Sequence, residues 1–307
     1  PSYVNLDWLG QQLGVDLKGN GMINGELRGK ITDPTFRGQV ELTRGYIYNQ
    51  TFDKFIGEVE VYKSKLVLSD TNLTKGDSQF NFGGEINFDE ESLNLTAEIE
   101  ETSLAKIRNF QDLYEIPDGF SGDISGEVLL TGAWANPNVA GHLKAAEGMI
   151  FDYPYQETNI SFEWKDKDLE IDAFDVNYQE TSIYGSGKIE DLEEVIIDLN
   201  AKEFDLSLVD QLPKELDLKG KVKLDGQLKG KLTSPTFDGI VSSDSLEYDE
   251  ISIEQLSALI KYEENSLFIK PMKMINGDNE YTLIGEIIFD QKMLDMRVRT
   301  KHANVDE

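Results

Sequence analysis

The chain has no cysteine among its 307 residues. That excludes disulfides, thiolate metal centres and cysteine nucleophiles together. It does not fix the compartment, although an oxidising envelope space tolerates it well. Histidine is almost as scarce: His142 and His302 are the only two, and each reads as a solvated strand residue rather than a base. No apolar run approaches the ~18 residues of a spanning helix, and no signal peptide is visible. Basic charge is short as well, with 29 Lys and Arg against 58 Asp and Glu and a formal net charge of −29. A field of that sign repels nucleic acid and anionic membrane surfaces. Strong acidity can also signal disorder, but 39% of residues are hydrophobic and follow a strict pattern.

Catalytic constellations are missing too. Glu90-Glu91, Glu193-Glu194 and Glu263-Glu264 fall at expected turns, where carboxylates serve solubility; a general acid needs burial to raise its pKa. Asp166/Asp168 and Asp89/Glu90 lack the glycine-punctuated loop of a calcium site. No phosphate-cradling loop or nucleophile elbow is present. The expectation is a protein that is not an enzyme and holds no metal or cofactor beyond a bound phospholipid or detergent.

What the chain does have is a match to itself, three times, at a period of about 100 residues. Pro34, Pro137 and Pro235 anchor the copies. Gly29, Gly132 and Gly230 stand five residues before the anchors, and Gly38, Gly141 and Gly239 four after. Leu66, Leu169 and Leu267 follow at plus thirty-two, and Gly84, Gly187 and Gly285 at plus fifty. Repeats of this kind stack on one another instead of closing separate cores. The expected organisation is residues 1–18 as the end of a preceding repeat, then 19–118, 119–217 and a truncated 218–307, in one continuous elongated body. The start at Pro1 and the early stop of the third copy predict a piece of a longer protein.

Period-two alternation predicts strands through most of the chain. Leu93, Leu95, Ala97 and Ile99 alternate with Asn94, Thr96, Glu98 and Glu100. Such strands carry one apolar and one charged face. Helical spacing occurs only at Leu6/Leu9/Leu13, Leu104/Ile107/Phe110 and Leu208/Val209/Leu212, shortly before each anchor. Each repeat therefore reads as roughly six strands and one short helix. Tyr46, Tyr48, Phe151, Tyr153 and Tyr248 read as sheet-packing aromatics, with a carbohydrate platform as the sharper alternative.

The repeated glycines fall in phase with the aliphatics, on the apolar face. Glycine there marks a bend, a bulge or a close approach to the backbone, and can also widen a channel. No helix is long enough to cover that face. Either the sheet folds onto itself around a dry core, or it curls into an open groove with an apolar floor. The expected groove lining in the first repeat is Val40, Leu42, Val59, Val61, Leu66, Leu68, Phe80, Phe82, Ile86, Leu93 and Leu95. In the second it is Val128, Leu130, Leu143, Ile160, Phe162, Leu169, Ile171, Ile183, Ile197 and Leu199. In the third it is Val222, Leu224, Leu228, Leu267, Ile269, Leu283, Ile287, Leu294 and Met296. Burying one acyl methylene is worth about 0.8 kcal/mol, so such a lining suits hydrocarbon chains.

The runs Leu27 to Gly38 and Leu228 to Gly239, with Ala133 to Gly141 between them, resemble the leucine-x-glycine … proline-x-x-x-glycine repeats of TamB and AsmA-like envelope proteins. The resemblance implies a curled β-sheet with a hydrophobic groove, in the periplasm, anchored in the inner membrane by a segment outside this chain. It also implies phospholipid transport toward the outer membrane, and a β-barrel partner of the TamA type. The competing expectations are a scaffold for outer-membrane protein assembly, a stalk with a closed core, and a transmembrane barrel. Inward-phase glycines, the repeat and the lack of aromatic girdles argue against the barrel.

Overall fold

The computed structural model describes residues 2–5, 7, 17–47, 50–107, 120–150, 153–208, 218–249 and 251–301. The chain is nearly all antiparallel β, in sheet that curls without closing. It divides into two compact units, Pro1–Asp166 and Lys167–Glu307.

Unit 1 holds β1 (Ser2–Asn5), β2 (Leu17–Lys30), β3 (Asp33–Ile47), β4 (Gln50–Tyr62), β5 (Lys65–Lys75) and β6 (Ser78–Asn87). β7 (Ser92–Ser103), β8 (Phe120–Ala133), β9 (Asn138–Ile150) and β10 (Tyr153–Lys165) complete it. Each strand pairs antiparallel with the next in sequence, from β1 through β10. The helical expectation near residue 104 is met by α1 (Leu104–Ile107), a single turn. The helix expected around Leu6, Leu9 and Leu13 lies outside the described residues, as do Phe110 and Leu212.

Unit 2 holds β11 (Asp168–Tyr178), β12 (Thr181–Glu190), β13 (Glu194–Asp205), β14 (Leu218–Lys231), β15 (Thr236–Ser243) and β16 (Leu246–Tyr248). β17 (Ile251–Ile253), β18 (Gln255–Glu263), β19 (Ser266–Asn276), β20 (Asn279–Ile288) and β21 (Met293–Lys301) follow. A 3-10 turn spans Leu206–Leu208. β15 and β16 are two halves of one strand beside β14, and β18 and β17 pair with those halves in turn. The break at Asp244 and Ser245 is held by the Ser243 hydroxyl, which donates to Lys221 O at 2.7 Å and accepts from Ser245 N at 3.2 Å.

Bulges recur at matched repeat positions. The ladder shifts between Leu68 and Thr71, between Ile171 and Phe174, and between Ile269 and Met272. A second shift separates Ile99 from Thr102 and Ala201 from Phe204. Bulges bend a strand and increase its twist, so these are the points where the sheet curls. Buried threonines meet the backbone there. Thr71 donates to Phe82 O at 2.5 Å, and Thr181 donates to Glu203 O while accepting from Asp205 N, both at 3.1 Å.

Two clusters of buried side chains anchor the units. In unit 1, Val40, Leu42, Phe52 and Val59 gather Ile23, Phe36, Phe55, Leu66, Leu68 and Leu73 around them. In unit 2, Val222, Leu246, Ile253, Leu256 and Ala258 do the same for Phe204, Leu206, Val241, Ile260, Met272 and Met274.

Candidate functional site

Ladder register assembles the expected groove lining into rows running across the strands. In unit 1 the first row is Phe36, Val61, Leu66, Ile86, Leu93 and Gly132. The second is Gly38, Val59, Leu68, Gly84, Leu95, Leu130 and Val139. The third runs from Val40 and Gly57 to Thr71, Phe82, Ala97, Val128, Gly141 and Phe162. The fourth is Leu42, Phe55, Leu73, Phe80, Ile99, Gly126, Leu143 and Ile160.

Unit 2 repeats the pattern. Leu169, Ile189, Val195 and Gly230 form a short row. Ile171, Gly187, Ile197, Leu228, Phe237, Tyr262, Leu267, Ile287 and Leu294 form the next. Then come Phe174, Gly185, Leu199, Gly226, Gly239, Ile260, Ile269, Gly285 and Met296. Val176, Ile183, Ala201, Leu224, Val241, Ala258, Met272, Leu283 and Val298 form the fourth, with Val222 beyond it beside Phe204.

Within each unit the described strands form sheet that curls without closing. The substantial strand contacts within each unit join ladder neighbours, apart from β17 against β19. Exposure agrees: Val40, Leu42, Val59, Phe80, Ile171, Val222, Ile269 and Ile287 are buried, Leu294 on β21 is 56% exposed, and the other expected lining residues are half-buried. A face half-buried by its own curvature is apolar yet reachable.

Alternation alone missed several members of the rows. Thr71, Leu73, Phe174 and Val176 follow a bulge that shifts the inward phase by one residue. The signal for it was the polar pair Ser69-Asp70, where Asp70 adopts a positive φ of 49°. Leu27 and Ile31 lie in phase with the apolar face but stand 70% and 101% exposed beside the β2–β3 turn.

The glycines divide by role. Gly29, Gly132 and Gly230 have φ of 107°, 93° and 104°, a backbone region that L side chains avoid. Gly38, Gly141 and Gly239 stand under aromatic rings: a Cβ on each would meet Phe36 at 2.9 Å, Phe162 at 3.1 Å and Phe237 at 2.6 Å. Gly84, Gly187 and Gly285 press against the carbonyls of Asn94, Ile196 and Asp295 on the next strand. Rings and neighbouring backbone occupy the space beside these last six.

The opposite face is polar and ion-paired. Lys54 meets Glu41 at 3.0 Å, Lys144 meets Glu157 at 3.1 Å, and Lys65 meets Glu85 at 2.5 Å. The hydrogen bond to Glu85 raises the Lys65 pKa above its ordinary value. Hydrogen bonds from Lys144 and Asn159 hold the Glu157 carboxyl below its own. An amide ladder runs from Asn72 to Asn81 (2.9 Å) and on to Glu100 (3.0 Å). His142 lies exposed on this face with Nδ1 2.9 Å from Ser161 Oγ, and His302 lies outside the described residues. Asp89 accepts from Ser64, Asp166 from Asn136 and Asp168 from the backbone of Asp191. Among the described residues no three His, Asp or Glu side chains converge as a metal site, and no helix is long and apolar enough to cross a membrane. Tyr46 packs under Lys18 at 4.9 Å, Tyr153 and Tyr248 are 48% and 40% exposed, and Tyr48 and Phe151 lie outside the described residues.

No protein-family model matches the chain, and no curated protein or solved structure matches it either.

Proposed function

We propose that each unit is a non-enzymatic lipid-binding module whose apolar face holds phospholipid acyl chains. In this reading the chain is a TamB or AsmA-like segment that carries phospholipid across the periplasm between the inner and outer membranes. One observation carries it: among the described residues of both units, rows of half-buried aliphatic side chains cross a sheet that curls without closing. Hydrocarbon fills such a surface without needing polar partners, at about 0.8 kcal/mol per buried methylene. The test is mass spectrometry of what co-purifies, followed by titration of delipidated protein with a fluorescent phospholipid. Co-purified phospholipid and saturable rebinding are expected; delipidated protein that binds no lipid sinks the reading.

A second reading rests on β21. It pairs with β20, and it exposes Leu294 and Val298 at 56% and 59%. An exposed apolar strand accepts another by β-strand addition, as a scaffold for outer-membrane barrel strands would. Saturable binding of barrel-derived peptides that phospholipid does not displace supports this reading over the first.

A further inference from the structure

The outer face of unit 2 gathers basic side chains at one place. Lys273, Thr282 and Arg299 are successive cross-strand partners on β19, β20 and β21. Beside them, Lys270 pairs with Leu259, and Arg297 pairs with Ile284. Four exposed cations thus surround Thr282 and Ile284, the latter 52% exposed. Leu259 and its partner Ile240, 47% and 46% exposed, extend the apolar part toward β15.

Counter-charge is thin around these cations. Among the described residues Lys273, Arg297 and Arg299 form no ion pair. Lys270 reaches Asp238 only at 3.9 Å, and Lys229 already holds that carboxylate at 3.1 Å. Carboxylates border the patch: Glu280 opposite Lys301 and Glu286 opposite Asp295 in the flanking rows, and Asp225 opposite Ile240 at its β15 end. Lys273 and Arg299 flank β20 at about 9.6 Å, two interstrand spacings. Grouped like charges repel, and an external anion relieves that repulsion.

We infer that this patch docks on the surface of an anionic phospholipid bilayer. Phosphodiester headgroups meet the four cations, while Ile284, Leu259 and Ile240 reach the boundary between headgroups and acyl chains. An open sheet face suits an extended array of phosphates better than a single free ion. Exposed aliphatics interleaved with cations suit a lipid surface better than an acidic polypeptide. The patch faces away from the apolar rows, so it is a docking surface independent of the acyl-chain reading.

The experiment is co-sedimentation of the whole chain with vesicles of phosphatidylcholine, alone or mixed equally with phosphatidylglycerol. Binding to the mixed vesicles only is expected, weakening as salt screens the exposed charges. Lys273→Glu with Arg299→Glu should lower that binding roughly tenfold or more, since each cation near an anionic surface contributes about 1 kcal/mol. Arg297→Gln with Arg299→Gln, a gentler pair, should give a smaller loss. Lys30→Glu with Lys167→Glu changes net charge equally at exposed positions elsewhere and should leave binding intact. Circular dichroism and rebinding of fluorescent phospholipid by delipidated protein should be unchanged in every variant, which separates this surface from the apolar rows. The inference is overturned by equal binding to neutral vesicles, by no binding to either, or by an equal loss in the control pair. Full competition by polyglutamate overturns it in favour of an acidic protein partner, and competition by inorganic phosphate in favour of a free anion.

Discussion

Gly226 and Gly239 are direct cross-strand partners on β14 and β15, and a Cβ built on Gly226 would stand 2.8 Å from the Gly239 Cα. The Phe237 ring lies against both. Gly25 and Gly38 repeat the arrangement under Phe36. The pair lets two strands cross closely at the floor of the row, with an aromatic ring supplying the missing side-chain surface.

Gly239→Val should therefore destabilise unit 2 by about 1–3 kcal/mol through overpacking. Gly230→Ala should cost a comparable amount, about 1–3 kcal/mol, for a different reason. A Cβ at Gly230 meets nothing within 4 Å, so the φ of 104° alone carries its penalty. Urea unfolding of both variants checks the pair; a neutral Gly230→Ala contradicts the strain argument.

Charge on the apolar face should act differently at two positions that alternation treats alike. Leu95 is half-buried in the middle of a row, whereas Ile171 is 7% exposed. Leu95→Lys is expected to abolish fluorescent phospholipid binding with the fold retained, because the long side chain can lift its ammonium to water. Ile171→Lys is expected to unfold unit 2 in part, since a buried unpaired charge is costly. Lipid titration and circular dichroism together separate the two outcomes.

Thr181 is 4% exposed and bridges the β13 bulge by donating to Glu203 O and accepting from Asp205 N. Thr181→Val keeps the shape and leaves both backbone groups without this partner. A loss of about 1–3 kcal/mol is expected, read by denaturant unfolding, and Thr181→Ser should recover most of it.

Tyr155 gives the pH prediction. Its hydroxyl donates to Ser121 O at 2.7 Å, and burial, with the Asp123 charge adding, raises its pKa above the ordinary tyrosine value. A raised pKa means the neutral form is favoured on folding. The associated stabilisation is complete below pH ~10 and is lost as pH rises through the native value. Alkaline titration of tyrosinate absorbance should show a late-ionising component that Tyr155→Phe removes.

The fold was legible because a curled, unclosed sheet writes its faces directly into the sequence at period two. Leu93, Leu95, Ala97 and Ile99 read inward from alternation and lie inward in the ladder. What alternation hides is a change of phase inside one strand. Leu66 and Leu68 face inward at even positions, while Thr71 and Leu73 do so at odd ones, because the bulge absorbs an extra residue. The outer cationic patch was hidden for another reason. Net charge is a sum over the chain, and the alternation Arg297, Val298, Arg299 reads as an ordinary strand until register sets Lys273 two strands away.

Within each unit, a strand is held mainly by the two beside it and owes little to strands farther along the ladder. A hairpin can therefore be inserted or deleted without redesigning the remainder, provided both new faces keep their alternation. Length then becomes an adjustable property, changing in steps of about 9.6 Å for each hairpin added. A longer or shorter descendant of either unit needs duplication or deletion alone, with no new packing to invent.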